Sequence, residues 1–226
     1  MTETVSVVIP VKDGERFMRE AIESVLGQTR PPDEVVVLEG GSADRSREIA
    51  EGYEGVTVVS QQGTGLGSAW NEAVEHSTGT LLGFIDCDDR WMPGKLASQL
   101  ELLRTQPELE MAIGRMRYFL EPGHDPPEGM RPELLEGDQV ALMPTTMVVR
   151  RASFDRVGPF DEGYRIASDI DWFARAKDLG LRIGHVDELV AEKRCHDANL
   201  SHSDIATNNA ELMSLLRGSI ARQRGG

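Results

Sequence analysis

Four apolar runs, SVVIPV, EVVVL, VTVVS and TLLGFID, punctuate the first part of the chain, and stretches of helical periodicity separate them. The runs are nearly continuous rather than alternating, as in strands covered on both faces. In GERFMREAIESVLGQT, residues Phe17, Ala21, Ile22, Val25 and Leu26 fall on one helical face. SADRSREIAEGY, with Ser42 as a cap, and LGSAWNEAVEHSTG, closed by Gly79, predict two more helices. This alternation specifies an α/β fold with a Rossmann-like, mostly parallel sheet flanked by helices. Such sheets bind ligands beyond the carboxyl ends of their strands.

The remainder reads less regularly. PGKLASQLELLRTQ is a helix with Pro93 at its start, and EMAIGRMRYFL is a strand. EPGHDPPEGMRPELLE, residues 121–136, carries four prolines and two glycines and reads as a long loop. TTMVVRR is a strand, RASFDRV a short helix, GPFDEGYR a turn and SDIDWFARAKDLG a helix. LRIGHV and ELVAEKRCH follow as two strands, then a helical segment from about residue 204. No repeat or linker divides the 226 residues, so one domain is expected. Its nucleotide-sized α/β half spans about 1–105, its more irregular half about 106–203, and its terminal helix about 204–226.

With 38 acidic against 24 basic residues, a formal charge of −14, the chain has no basic stripe for nucleic acid. A phosphorylated ligand would need a cation between itself and the carboxylates. No stretch approaches the length of a spanning helix, and MTETVSVVIP lacks a basic leader, so a cytoplasmic protein is expected. Cys87 and Cys195 match no disulfide or zinc spacing and read as free thiols.

The fourth run ends in DCDDR. In an extended segment Asp86 and Asp88 point the same way and Cys87 the other. Two carboxylates on one side at a strand end suit Mn²⁺ or Mg²⁺. The competing reading is an acidic turn that merely ends a strand. GTGLGS has the glycines of a phosphate loop without a GKS/T ending, and shapes the turn into the helix bearing Asn71.

Taken in order, SVVIPVKDGERFMREAIESVLGQT, GGSADRS, GSAWNEAVEHSTGTLLGFIDCDDRWMPGKLASQ, GPFDE and SDIDWFARA resemble the family 2 glycosyltransferases of GT-A fold, from about Val5 to Ser203. The resemblance implies inverting transfer of a sugar from a nucleotide diphosphate donor, with an irregular acceptor side in the C-terminal half. It implies that Asp86 and Asp88 contact the donor ribose and hold the metal, with Asp89 sharing that duty. Pro10, Val11 and Lys12, with Glu39 after the second strand, would line the nucleoside. The family commonly has two acidic residues before Gly-Ser; here Glu39 is followed by Gly40, which leaves the base open.

Inverting transfer needs a base near the attacking hydroxyl, and the resemblance assigns Asp169. By its residues alone, SDID is equally a capping box, with Ser168 at the cap and Asp171 at the third position. Asp171 and Trp172 are candidates for acceptor contact, Trp172 also for core packing. KRCHDANLSHS resembles a family segment in which His196 would complete the metal site or touch the diphosphate, and Arg194 would offset leaving-group charge. Arg175 reads as a local partner of Asp171. Residues around Thr145, Thr146 and Trp172 flank the expected acceptor side.

The acceptor is left open among a glycan, a lipid-linked intermediate, a metabolite and a peptide. A silent sugar-nucleotide-binding scaffold and a nucleotidyltransferase are the rival functions. The terminal segment AELMSLLRGSIARQRGG, with arginines at 217, 222 and 224, is read as packing on its own domain. A homodimer contact and a membrane-surface contact are the alternatives.

Overall fold

The computed structural model describes residues 3–126, 130–196, 199, 207 and 210–215. Strands β1 (Val5–Val11), β2 (Glu34–Glu39), β3 (Val56–Ser60) and β4 (Leu81–Phe84) alternate with helices α1 (Met18–Leu26), α2 (Ser46–Glu51) and α3 (Leu66–Glu75). Strand β5 (Arg90–Trp91), helix α4 (Lys95–Thr105) and strands β6 (Met111–Leu120), β7 (Gln139–Val140) and β8 (Val148–Arg150) come next. Helices α5 (Arg151–Val157) and α6 (Ser168–Asp178) precede the long strand β9 (Ile183–Cys195).

The strands form one sheet in the order β3-β2-β1-β4-β8-β6-β9-β5, with β7 paired to β6. β3, β2, β1 and β4 are mutually parallel. β8 runs against β4 and β6, which restores the first direction in β6 and its parallel partner β9. Six strands therefore share one direction, against β5, β7 and β8.

The continuous apolar runs fill both faces. Val5, Val7, Ile9 and Val11 of β1 join Val35 and Val37 of β2 beneath Met18, Ile22 and Val25 of α1. Val8, Val36 and Leu38 point the other way, onto Ala69, Trp70, Ala73 and Val74 of α3. This period of two sends alternate residues into separate cores, which is why none of β1 reaches solvent.

Several expectations change. The two last strands are one, because β9 carries bulges opposite Ile113, Arg115 and Met116 that absorb the polar residues Asp187 and Glu188. Helix α2 starts at Ser46, led by Asp44, whose Oδ1 accepts from the Ser46 N–H at 2.9 Å; Ser42 instead accepts from the Asp13 N–H across the loop. Helix α3 ends at Glu75, so Gly79 does not close it. A side chain at Gly79 would collide with the backbone of Ser6, 2.6 Å from its Cβ. The 121–136 segment includes a short 3-10 turn at Pro132–Leu135. Residues 210–215 are helical, and the terminal arginines lie outside the described residues. No helix among the described residues is long and apolar enough to cross a membrane.

Candidate active site

The carboxyl ends of β1, β2 and β4 lie side by side, since Val11 is in register with Glu39 and Val8 with Phe84. The chain leaves β4 through Ile85 and turns at once: the Asp89 N–H donates to the Asp86 carbonyl at 3.1 Å. Asp86 to Asp89 are thus a turn, not the extended segment that the alternation argument assumed. Turn geometry, rather than the strand pleat, brings Asp86, Asp88 and Asp89 together, with one carboxylate oxygen of each within 4.8 Å of the others. Cys87 faces away and packs into the core against Val11 and Gly14.

The three carboxylates differ in access. Asp89 is fully buried, and its oxygens accept from the Arg194 N–H at 3.1 Å and Lys193 Nζ at 3.4 Å. Burial, with Asp88 and Asp86 nearby, raises its carboxyl to about 8 against the pull of Lys193. Asp89 therefore anchors β9 beneath the turn. Asp86 and Asp88 are partly exposed. Burial would raise Asp88, yet the hydrogen bond to His196 and the charge of Lys193 hold it below the ordinary carboxylate range.

Strand β9 supplies the basic side of the site. Lys193 Nζ reaches Asp86 Oδ2 at 3.0 Å. Arg194, which was expected to face a leaving group, is buried and spoken for. Its Nε donates to the Asp88 carbonyl at 2.9 Å, its two terminal nitrogens pair with Glu20 and Glu121, and its guanidinium lies between the Phe17 and Phe119 rings. It fixes the aspartate turn from below. His196 Nε2 lies 3.0 Å from Asp88 Oδ2, beside the Phe17 ring.

At the end of β1, where a nucleoside was expected, Pro10 and Val11 are buried and Lys12 is exposed. Glu39 is 4% exposed, and its carboxylate accepts from the Ser42 N–H at 2.5 Å and from Arg47 at 3.1 Å. It shapes the loop after β2. Where the second acidic side chain is commonly found, Gly40 leaves room that the Gln61 amide approaches: its Oε1 would lie 3.0 Å from a Cβ at Gly40. Asp13, in the left-handed region at φ 52°, accepts from the Ala43 N–H at 2.8 Å and ties this loop to the end of β1.

Helix α6 brings Asp169 into its first turn, where the partial positive charge of the helix end favours a carboxylate. Burial, and then the charge of Asp86, outweigh that help and the Ile170 N–H donated at 2.8 Å, and the carboxyl is raised to about 6. The capping box does not form: the cap is Ala167, without a side-chain bond. Glu211 caps from a distance instead, accepting from the N–H groups of Arg165 at 2.7 Å and of Ile166 and Ala167 at 2.9 Å.

Asp171 and Trp172 face inward. Asp171 pairs with Arg175 at 2.6 Å, as the spacing predicted, and Arg175 also donates to the Val157 and Pro159 carbonyls. Trp172 is fully buried among Phe154, Phe160 and Phe173, with Nε1 donating to the Gly158 carbonyl at 2.9 Å. Neither offers a face to an acceptor, and core packing is the reading that holds for Trp172. Thr145 and Thr146 are likewise buried. The GPFDE turn is held by Asn71 of α3, which exchanges two 2.9 Å hydrogen bonds with the Phe160 backbone.

Lys193 and Glu211 are the site residues that sequence reasoning missed. Neither belongs to a local pattern, and their partners lie 107 and about 45 residues away.

Residues 6–160 match the family described as Glycosyl transferase family 2. An uncharacterized glycosyltransferase of Rickettsia typhi is 26% identical over 216 residues, covering 88% of this chain and 66% of that protein. Among solved structures, Staphylococcus aureus TarS 1–349 in complex with UDP-GlcNAc superposes with a TM-score of 0.75 at 21% identity, over 97% of this chain and 66% of that one. The mannosyltransferase PcManGT from Pyrobaculum calidifontis, in complex with GDP-Man and Mn²⁺, gives 0.72 at 19% identity, over 98% and 65%. This chain thus spans about two thirds of the length of these proteins, and it shares their GT-A fold. With more than half of its residues matched, the chain belongs to glycosyl transferase family 2.

Proposed function

We propose that this chain transfers a sugar from a nucleotide diphosphate donor to an acceptor hydroxyl with inversion, assisted by a divalent cation. The observation that carries the reading is the contrast between the clustered carboxylates of the turn after β4 and the Asp169 carboxyl at the start of α6. Asp86 and Asp88 are partly open, and Asp88 is held below the ordinary carboxylate range, while Asp169 lies near enough to feel the charge of Asp86 and has a carboxyl raised to about 6. Carboxylates with separated proton affinities suit separate tasks: the first set binds charge, and the second accepts a proton.

An all-oxygen donor set with its atoms within 4.8 Å fits Mn²⁺ or Mg²⁺. Asp86 and Asp88 would hold the ion, with His196 as a further ligand or as the group that orients Asp88. When bound, such an ion supplies positive charge that stabilises the departing diphosphate. Pro10, Val11, Lys12 and Glu39 would line or shape the nucleoside side, and the Gln61 amide beside Gly40 would meet the base. Asp169 takes the acceptor proton as its oxygen bonds to the anomeric carbon. The bond from that carbon to the diphosphate breaks, and the diphosphate keeps the electron pair. Attack and departure on opposite faces invert the centre.

The test is a panel of sugar nucleotides with Mn²⁺ or Mg²⁺, following slow hydrolysis without an acceptor. Release of a nucleoside diphosphate from one donor supports the reading and identifies base and sugar together. Release of pyrophosphate or a nucleoside monophosphate points to nucleotidyl chemistry and overturns it. Donor binding without any turnover, with or without candidate acceptors, marks a silent binder.

A further inference from the structure

Lys193 stands where a divalent ion would have to compete for oxygens. Its Nζ engages Asp86 Oδ2 at 3.0 Å and Asp89 Oδ2 at 3.4 Å, and its side chain is only 14% exposed. The position is not a chance reach of a flexible side chain. Lys193 is in register with Tyr118 of β6, and the next residue on β9 donates its N–H to Asp89. The ammonium is therefore delivered by a paired strand into the same cluster whose carboxylates sit within 4.8 Å of one another.

A carboxylate oxygen held by an ammonium offers less of its charge to a second cation, and two cations at one cluster repel each other. We propose that Lys193 is a built-in counter-cation that competes with the divalent ion at Asp86 and keeps the metal site weak in the absence of donor. This inference rests on the reading of Asp86 and Asp88 as the metal site. A donor diphosphate brings new negative charge, which gives both cations additional partners. Metal and donor then bind cooperatively, each raising the affinity of the other by the same factor. The rival explanation is that Lys193 only offsets the fully buried Asp89. The two ideas differ in sign: loss of a competitor tightens metal binding, whereas loss of a purely structural charge does not.

The experiment is calorimetric titration of Mn²⁺, without nucleotide, into the wild-type chain, Lys193→Gln, Lys193→Arg and Asp88→Asn, with circular dichroism recorded for each. Glutamine keeps a hydrogen-bond donor beside the carboxylates and removes the charge; arginine keeps the charge. We expect Lys193→Gln to bind Mn²⁺ at least about tenfold more tightly than wild type, in line with removal of one nearby like charge. Lys193→Arg stays as weak as wild type, and Asp88→Asn loses binding. If Lys193→Gln binds no more tightly than wild type, or Lys193→Arg binds more tightly, the competition is refuted while the metal site stands. Absence of Mn²⁺ binding in every form, including a folded Lys193→Gln, overturns the metal reading and this inference together. Should the glutamine variant fail to fold, Lys193→Met, which keeps the packing of the stem and removes the charge, takes its place with the same two outcomes.

Discussion

One carboxylate oxygen, Asp88 Oδ2, is shared by His196 Nε2 at 3.0 Å and Asn199 Nδ2 at 3.1 Å. Asn199 Oδ1 in turn accepts the His196 N–H at 2.7 Å, so the two residues brace each other as well as the aspartate. His196 and Asn199 are thereby tied to the turn after β4. Orientation of Asp88 depends on residues 108 and 111 positions further along the chain.

His196→Ala is expected to weaken Mn²⁺ binding about 10- to 100-fold, the usual effect of losing a ligand's orienting partner. Asp88→Asn should abolish transfer and leave the fold intact. Calorimetry and donor hydrolysis measure the two effects. Full activity in Asp88→Asn would remove the metal assignment.

Asp169 must shed its proton to act as a base. With its carboxyl raised to about 6, kcat/KM should fall tenfold per pH unit below about 6 and level off above it. Asp169→Asn should lower kcat by about 10²–10⁴-fold. The stability effect has the opposite sign. A carboxyl raised on folding stabilises the fold below its unfolded value and loses that contribution as pH rises through about 6. Asp169→Asn should therefore be more stable than wild type at pH 7.5, by about 1–3 kcal/mol, with the gain gone near pH 3.5. Urea unfolding at the two values checks it; a variant inactive because unfolded would fail.

Arg194 pairs with Glu20 and Glu121 and holds the Asp88 carbonyl. Arg194→Met removes three directed bonds, while Glu121 keeps Arg16 and Glu20 keeps Arg90, and should cost about 1–3 kcal/mol. Arg194→Lys recovers only part of this, since an ammonium cannot reproduce three directed bonds. Denaturant midpoints give the ranking.

Trp172→Ala removes a fully buried ring and should cost about 3–5 kcal/mol, whereas Trp172→Phe should cost less and leave acceptor KM unchanged. A raised acceptor KM in a stably folded Trp172→Phe would return this residue to the acceptor site.

Glu211 accepts three backbone N–H groups just ahead of α6. Against burial, these donors hold its carboxyl below the ordinary range. Glu211→Ala should lower kcat severalfold with donor affinity unchanged, because it loosens the segment that leads into Asp169. Amide hydrogen exchange at residues 165–167 should speed up alongside it.

The first half of the fold was legible because each strand is a contiguous apolar run and each helix carries its own stripe. Two-residue β5 was not. Arg90 and Trp91 are a strand only through pairing with Glu192 and Ala191, and no local signal encodes that partner. The single β9 was hidden for a related reason: Asp187 and Glu188 break the apolar pattern, and only pairing to β6 shows that the strand continues through a bulge. Trp172 could not be assigned from its spacing, since a ring on an inward helical face reads the same whether it meets a core or a ligand.

What the residues determined on their own is the alternating α/β order, the placing of DCDD just beyond a strand end, and an acid at the start of a late helix. These are short-range features, set by periodicity and by neighbours a few positions apart. Only the tertiary structure decided which carboxylates stay open, where Lys193 puts its charge, that Arg194 is held inside, and what caps α6. Those outcomes depend on burial and on charges brought close by strand pairing across roughly a hundred residues. Electrostatic energy follows distance and desolvation in space, and the order of residues along the chain specifies neither until the sheet has formed.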